Sequence, residues 1–291
     1  MTGSARRRRL AGEAPEHRLA RLAVIEASGF EVIPLRSLDA AIESLPPGSR
    51  VSVTASPVKG MAATQEITER LIAGGHAAVP HISARLVRDR THTRALAAWL
   101  RTMGIDEIFL VGGDVTEPGR YHDALSFLTD LLETDHGLRR VGVTAYPDGH
   151  PLIDPATLHE ALNGKQDVLA EAGLEGYCST QMCFDPARIV SWLKRERRGG
   201  MTLPVHLGVA GVVERAKLLG IGVRLGIGQS LRYLRKNRRA VTRLMIAPHY
   251  DPNDLLVQLS AHMVALDIRA LHIFTFNQVA ATVAWRDRSL D

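Results

Sequence analysis

Glu31 stands in the run Gly29-Phe30-Glu31-Val32-Ile33-Pro34, with apolar residues on either side. A carboxylate there is costly unless it has a partner or a task. Burial raises a carboxyl pKa, which suits a general acid working near neutral pH. The plainer reading is a carboxylate turned outward at a strand start. Asp114 follows Gly112 and Gly113 at the end of another apolar run. Such glycines let a ligand approach the backbone closely, although Asp after them also serves turns and helix caps. Gln181 ends a third run and offers donor and acceptor together, which suits the edge of a heterocycle; a bond to a neighbouring loop would use it as well. His81, His150 and His206 are further candidates for ligand contacts. No HxxxH or HxH pair occurs, so no metal site is expected. Cys178 and Cys183 lie at neither a zinc spacing nor in a disulfide framework, and buried free thiols are expected. Gly226-Ile227-Gly228 lacks the third glycine and the strand–helix setting of a dinucleotide fingerprint.

These residues need elements to position them. Eight short β-rich runs are predicted as strands: Phe30–Pro34, Arg50–Thr54, Ala77–Ile82, Glu107–Gly112, Val141–Tyr146, Gly176–Gln181, Leu203–Gly208 and Leu271–Phe276. Between them the apolar spacing is helical over Thr64–Ala73, His92–Met103, Asp123–Leu132, Pro155–Ala172 and Pro186–Arg195. Asp154-Pro155 and Asp185-Pro186 read as a capping residue followed by a first-turn proline. The alternation implies an α/β fold with a parallel sheet, and eight units in one chain imply closure into a single (β/α)8 TIM barrel. The runs read as apolar throughout, as for strands covered on both faces. Residues 1–20 are expected to be a flexible basic tail that runs into a helix near 15–28, and residues 21–291 to form the barrel. The stretch from Val209 to Ala270 is longer than one crossover needs and is expected to hold two or three helices before strand eight. In such a barrel the chemistry sits at the C-terminal strand ends, which is where Glu31, Thr54, His81, Asp114, Tyr146, Gln181 and Asn277 fall.

Hydrophobic residues make up 45% of the 291, enough for a large core. No apolar run is long enough to span a bilayer, and Arg6–Arg9 is followed by no apolar stretch of the secretory kind. A cytoplasmic protein is expected. The net charge of +5 is concentrated in Arg6–Arg9, Lys194–Arg198 and Arg232–Arg243. It favours anionic partners such as nucleotides or polyglutamate. With only Tyr233 among the charges of the last run, specific nucleic-acid recognition is not supported.

The pieces together resemble the methylenetetrahydrofolate reductase family. They are Gly29–Pro34, Val51–Thr54, Val79–Ile82, Leu110–Asp114, Ala145–Pro151, Thr180–Asp185 and Leu271–Asn277, in family order across residues 28–280. The resemblance implies an FAD-containing barrel that reduces 5,10-methylenetetrahydrofolate to 5-methyltetrahydrofolate with NAD(P)H, in the one-carbon metabolism of methionine biosynthesis. It implies that Glu31 is the acid that opens the imidazolidine ring and that Asp114 stabilises charge beside flavin and pterin. Gln181 then contacts folate, while Thr54, His81, Gly112, Gly113, Asp114, Tyr146, His150, Asp154 and Lys165 line the flavin site. The partners implied are methylenetetrahydrofolate, with or without a polyglutamate tail, NAD(P)H, and a second copy of the chain in a homo-oligomer.

Two positions depart from the family. After strand two, Ala55-Ser56-Pro57-Val58-Lys59 stands where members carry Tyr and a glycine-rich turn. Gly112 stands where members carry an Arg for the flavin pyrophosphate. Losing such a charge-assisted contact weakens flavin binding. Direct, flavin-free hydride transfer from NAD(P)H therefore stands beside the flavin route, with Lys59, Arg85, Arg88 or Arg120 as replacement cations. Three rivals are kept open: a C1-pterin oxidoreductase of C1 catabolism, a non-catalytic folate-binding barrel, and a basic protein that binds nucleic acid through charge alone.

Overall fold

In the computed structural model, which describes residues 13–214 and 250–291, strand and helix alternate along the chain. Helix α1 (Pro15–Glu26) precedes β1 (Gly29–Val32), α2 (Leu38–Glu43), β2 (Arg50–Val53), α3 (Gly60–Ala73) and β3 (Ala77–Ser83). Then come α4 (Arg90–Thr102), β4 (Glu107–Val111), α5 (Ala124–Leu132), β5 (Arg140–Ala145), α6 (Pro155–Glu171) and β6 (Glu175–Thr180). The described chain closes with α7 (Pro186–Arg198), β7 (Val205–Ala210), α8 (Asn253–Leu259), β8 (Ile268–Phe274) and α9 (Val279–Leu290). The strands form a closed barrel in chain order, and β8 pairs in parallel with β1. All eight C-terminal strand ends therefore face one mouth.

Helices α6 and α7 start where the Asp-Pro pairs place them. Asp154 accepts hydrogen bonds from the Ala156 and Thr157 backbone N–H groups, and Asp185 from those of Ala187 and Arg188. Each cap contributes about 1 kcal/mol. Helix α1 begins at Pro15, as the helix expected near 15–28 does, so residues 15–20 of the expected tail are helical. Arg21 on its buried face pairs with Glu13 at 2.8 Å. Two helices that the sequence reading did not name are present. Six-residue α2 is too short to show a 3.6-residue period, and α9 follows the last strand. Of the helices expected between Val209 and Ala270, α8 is described; the rest of that stretch, with the glycine cluster and the basic run at 232–243, lies outside the described residues, as does Arg6–Arg9.

Strand residues alternate between two environments. Phe30, Val32, Val51, Val53, Ile108, Leu110, Val143, Leu207, Leu271 and Ile273 point outward and share one core with the helices. The other set fills the barrel and is far more polar than the sequence reading expected. At its N-terminal end Arg50 binds the Glu107 carboxylate and donates to Tyr177 Oη at 2.9 Å. Arg140 adds a second cation, 3.8 Å from Glu107. The His206 ring stacks on Tyr177 with centroids 4.0 Å apart. Tyr177 fits because its neighbour on β5 is Gly142: a Cβ there would lie 2.2 Å from the Tyr177 ring. Charge and aromatic surface thus close the bottom of the barrel, a place usually filled by branched aliphatic side chains. Cys178 and Cys183 are both buried thiols outside any disulfide, as expected, and burial pushes the Cys178 thiol up to about 12. Among the described residues, no helix is long and apolar enough to cross a membrane.

Candidate active site

Above this plug, toward the C-terminal end of β1, lies Glu31. Its position next to the end of β1 turns the carboxylate inward, where the residue is 8% exposed. His272 of β8 donates from Nε2 to Glu31 Oε2 at 2.9 Å. His81 of β3 places its Nε2 3.8 Å from the same oxygen, and that buried nitrogen has no hydrogen-bond partner. Phe109 of β4 packs against both rings, with centroids 4.7 Å from His81 and 5.6 Å from His272.

The electrostatics correct one expectation. Burial alone raises the Glu31 carboxyl, as the sequence reading assumed, but the hydrogen bond and charge of His272, with smaller pulls from His81 and Thr54, outweigh it and leave the carboxyl below its usual value. His81 goes the other way for a histidine and is pushed down to about 4, by burial first and then by His272 and Arg50, against the attraction of Glu31. Both shifts have the same consequence. A group that binds protons more weakly in the folded chain than in the unfolded one loses its contribution to stability as the pH falls. For His81 the window runs from about 6.5, the unfolded value, down to about 4. Thermal unfolding should therefore show a midpoint lower at pH 4.5 than at pH 7, by on the order of 5 °C. His81→Phe should flatten that dependence; an equally steep slope in the variant would exclude His81 as its source.

The backbone around Glu31 is clamped from β8. Thr275 Oγ1 donates to the Glu31 carbonyl. Asn277 accepts from the Ile33 N–H through Oδ1, and its Nδ2 donates to the Ile33 carbonyl, each at 2.9 Å. To make these bonds Phe276 and Asn277 adopt positive φ angles of 49° and 62°, uncommon outside glycine. Such local strain persists only where surrounding bonds over-determine it; here it fixes where the carboxylate points.

The other expected site residues divide. Gln181 directly follows β6, bonded through its N–H to Ala145; its Oε1 accepts from the Met182 N–H at 2.9 Å, and its amide NH2 makes no bond among the described residues. Asp114 is exposed beyond β4, and its charge is felt by Tyr146 and His150 beyond β5, whose rings meet edge to face 5.3 Å apart. Gly113, with φ of 99°, lies where a Cβ would strike Ser83 Oγ, so the loops after β3 and β4 interlock. The closed parallel topology puts Glu31, Asp114 and Gln181 on one mouth. Beside it Met182, Phe184, Ala210, Tyr250 and Phe276 form an apolar wall.

Four of the implied flavin residues are engaged or placed as follows. Thr54 Oγ1 donates to the Val32 carbonyl at 3.1 Å. Asp154 is used by the α6 cap and by the Thr157 hydroxyl. Gly112 brings no cation, and His81 lies inside the barrel. Lys165 is buried on the inner face of α6, its amine lowered to about 8 by burial against the pull of Asp123. Of the replacement cations, Arg120 is taken by Asp130, while Lys59 and Arg88 are exposed on loops after β2 and β3. Arg85 donates to the Thr116 carbonyl through Nη2, and its buried Nε has no partner.

His272 is the residue that the sequence reading overlooked. The signal was available: it is a polar residue inside Leu271-His272-Ile273-Phe274, the same anomaly that marks Glu31. The search for a metal site by sequence spacing also missed a cluster. Ligand atoms of Glu31, His81 and His272 lie within 4.8 Å of one another, a set that could hold a metal ion. They come from three strands, so no local spacing reveals them.

No protein-family model matches the chain. Methylenetetrahydrofolate reductase 1 of Schizosaccharomyces pombe is 24% identical over 146 residues, which is 47% of this chain and 22% of that protein's length. A protein from Clostridium thermocellum described as binding two copies of 5-methyl-5,6,7,8-tetrahydrofolic acid superposes with a TM-score of 0.59. That alignment covers 93% of this chain and 99% of the other; at 11% identity the likeness speaks to the fold. The chain thus resembles a methylenetetrahydrofolate reductase over about half of its length.

Proposed function

We propose that this chain, on the strength of that resemblance and of its barrel mouth, reduces 5,10-methylenetetrahydrofolate to 5-methyltetrahydrofolate with a hydride taken directly from NAD(P)H. The observation that carries the reading is the Glu31 carboxylate, nearly enclosed at the C-terminal end of a closed barrel and bonded to His272. The methyltetrahydrofolate that the structural neighbour from Clostridium thermocellum is described as binding agrees with that ligand class.

The reaction needs a proton and a hydride. Protonation of folate N10 by the Glu31 site breaks the bond from N10 to the bridging carbon and leaves a cationic iminium at N5. Asp114, exposed on the same mouth, stabilises that positive charge. The free amide NH2 of Gln181 donates to an acceptor on the pterin edge. The apolar wall of Met182, Phe184 and Phe276 holds the planar ring systems and excludes water. Hydride from the nicotinamide then adds to the iminium carbon, which becomes the methyl group, and NAD(P)+ leaves. Arg85, Arg88 and Lys59 on the rim loops take the anionic pyrophosphate or a polyglutamate tail. Gly112 in place of a pyrophosphate-binding Arg, with Thr54 bonded to the Val32 carbonyl and Asp154 to the α6 cap, favours the direct transfer over the flavin route.

Purified protein should show no flavin absorption in the visible range, and should oxidise NADH or NADPH only when methylenetetrahydrofolate is added, one equivalent per methyl group formed. Activity that depends on added FAD would restore the flavin route. Tight binding of the folate without any oxidation of the nucleotide would make the barrel a binding protein.

A further inference from the structure

We propose that Glu31, His81 and His272 form a binding site for one divalent transition-metal ion of the zinc type, inside the barrel beneath its mouth. The inference does not rest on the folate reading; the two meet only in their use of the Glu31 carboxylate.

The donor set is the first argument. Two imidazole nitrogens and one carboxylate oxygen lie within 4.8 Å of one another. Zinc sites with three protein ligands are built from such donors and keep a further position open. Imidazole suits zinc and its first-row neighbours, whereas calcium and magnesium take oxygen ligands. The spacing agrees. A tetrahedral ion with bonds of about 2.0–2.1 Å sets its ligand atoms about 3.3 Å apart. Glu31 Oε2 is 2.9 Å from His272 Nε2 and 3.8 Å from His81 Nε2, so the two separations fall on either side of that value.

His81 supplies the second argument. The residue is 4% exposed, and its buried Nε2 has no hydrogen-bond partner although it faces a carboxylate oxygen. At 3.8 Å the two are too far apart to bond directly. An unpaired buried nitrogen in that position calls for a ligand between the two groups. An ion bonded to both satisfies it. His272 joins them when its ring hydrogen moves to Nδ1 and the ion takes its place at Nε2.

The fold holds the three donors ready. They stand on β1, β8 and β3, and the strand between β1 and β3 sets Ser52 beside Glu31. Val51 and Val53 point outward, so the small Ser52 side chain faces the interior and leaves Glu31 and His81 room to converge. Phe109 packs on both imidazoles and Phe274 on His272, while Thr275 and Asn277 fix the backbone on either side of the carboxylate. Outer contacts of this kind orient metal ligands. Arg50 below is matched by the Glu107 carboxylate, which offsets its repulsion of an ion. A carboxylate bonded to the ion holds no proton. Where the folate reading applies, the metal-free chain is thus the active form and the loaded chain is inhibited.

The test uses the full chain, freed of metal by a chelator and then dialysed against zinc. Mass spectrometry of bound metal should give one zinc per chain. Cobalt(II) in its place should show the intense visible absorption of a four-coordinate ion, and zinc should displace it. His81→Phe and His272→Phe keep a packed ring and remove a donor. Each should weaken zinc binding by more than the roughly 10- to 100-fold typical of losing an outer-shell partner. His206→Phe removes another barrel histidine with an unpaired nitrogen, outside the cluster, and should bind zinc as the parent does. Circular dichroism checks each fold; if a variant does not fold, the cobalt spectrum of the parent decides. A parent without stoichiometric zinc, a cobalt spectrum like that of the aqueous ion, or unchanged zinc affinity in His81→Phe and His272→Phe overturns the proposal. Folate-dependent oxidation of NAD(P)H should fall in proportion to bound zinc. Zinc binding as expected on a chain that turns over no folate, loaded or metal-free, sinks the folate reading and leaves the metal site. Turnover by a chain that binds no zinc does the reverse.

Discussion

Glu31→Gln lowers kcat on the order of 10²- to 10⁴-fold, the usual contribution of a positioned general acid, while folate binding and the fold persist. The amide has nearly the shape of the carboxyl and still accepts the His272 hydrogen bond through its oxygen, so the seam between β1 and β8 stays closed. It cannot deliver a proton to N10, and the imidazolidine ring stays shut. The loss falls on kcat because the proton matters only in the transition state. KM for the folate should move little, since the proposed pterin contacts are those of Gln181 and the apolar wall. Steady-state kinetics with a parallel melting curve checks both halves. A variant within a few-fold of the parent in kcat would remove Glu31 from the chemistry, and a variant that fails to fold would make it a structural residue.

Arg50→Met should cost about 3 kcal/mol of stability without touching the chemistry. Arg50 binds the Glu107 carboxylate, donates to Tyr177 Oη and lies over the Tyr177 ring, 5.4 Å from its centroid. Methionine matches the aliphatic stem and leaves Glu107 with the Tyr177 hydroxyl and the more distant Arg140, 3.8 Å away. Breaking a buried ion pair by removing one partner typically costs 3–5 kcal/mol. The lower end applies because Arg50 and Glu107 side chains retain 20% and 12% exposure and one cation remains. Adding Glu107→Gln should recover much of the loss, since no uncompensated charge is then left in the barrel. Chemical denaturation of the two variants measures it. Equal destabilisation in the single and double variants would show that packing, not charge, dominates. The folded fraction of Arg50→Met should keep its kcat, because the plug lies at the end of the barrel away from the mouth.

Both outcomes turn on a feature only partly legible in the sequence. The strand positions could be read because apolar runs and Asp-Pro caps are local signals; Asp154 and Asp185 begin their helices as their types require. Closure into a barrel followed from counting. The barrel interior did not follow, because residues such as Arg50, Glu107 and Tyr177 are far apart in sequence and meet only when β2, β4 and β6 line one ring. Glu31 was visible as a carboxylate in an apolar run. Its lowered pKa was not, since that depends on His272, 241 residues away. Asp154 shows the opposite case, in which a residue implied by family resemblance is consumed by the helix cap that its own local sequence predicts.

The central claim is that one hydride passes straight from nicotinamide to the folate carbon while the Glu31 site supplies the proton. The most direct measurement is the deuterium content of the methyl group formed in ordinary water from methylenetetrahydrofolate and NADH deuterated at the transferring C4 position, read by mass spectrometry. One deuterium in each methyl group, from protein free of flavin, is the result expected. Product whose methyl group carries no deuterium, or nucleotide that stays reduced in the presence of the folate, would contradict it.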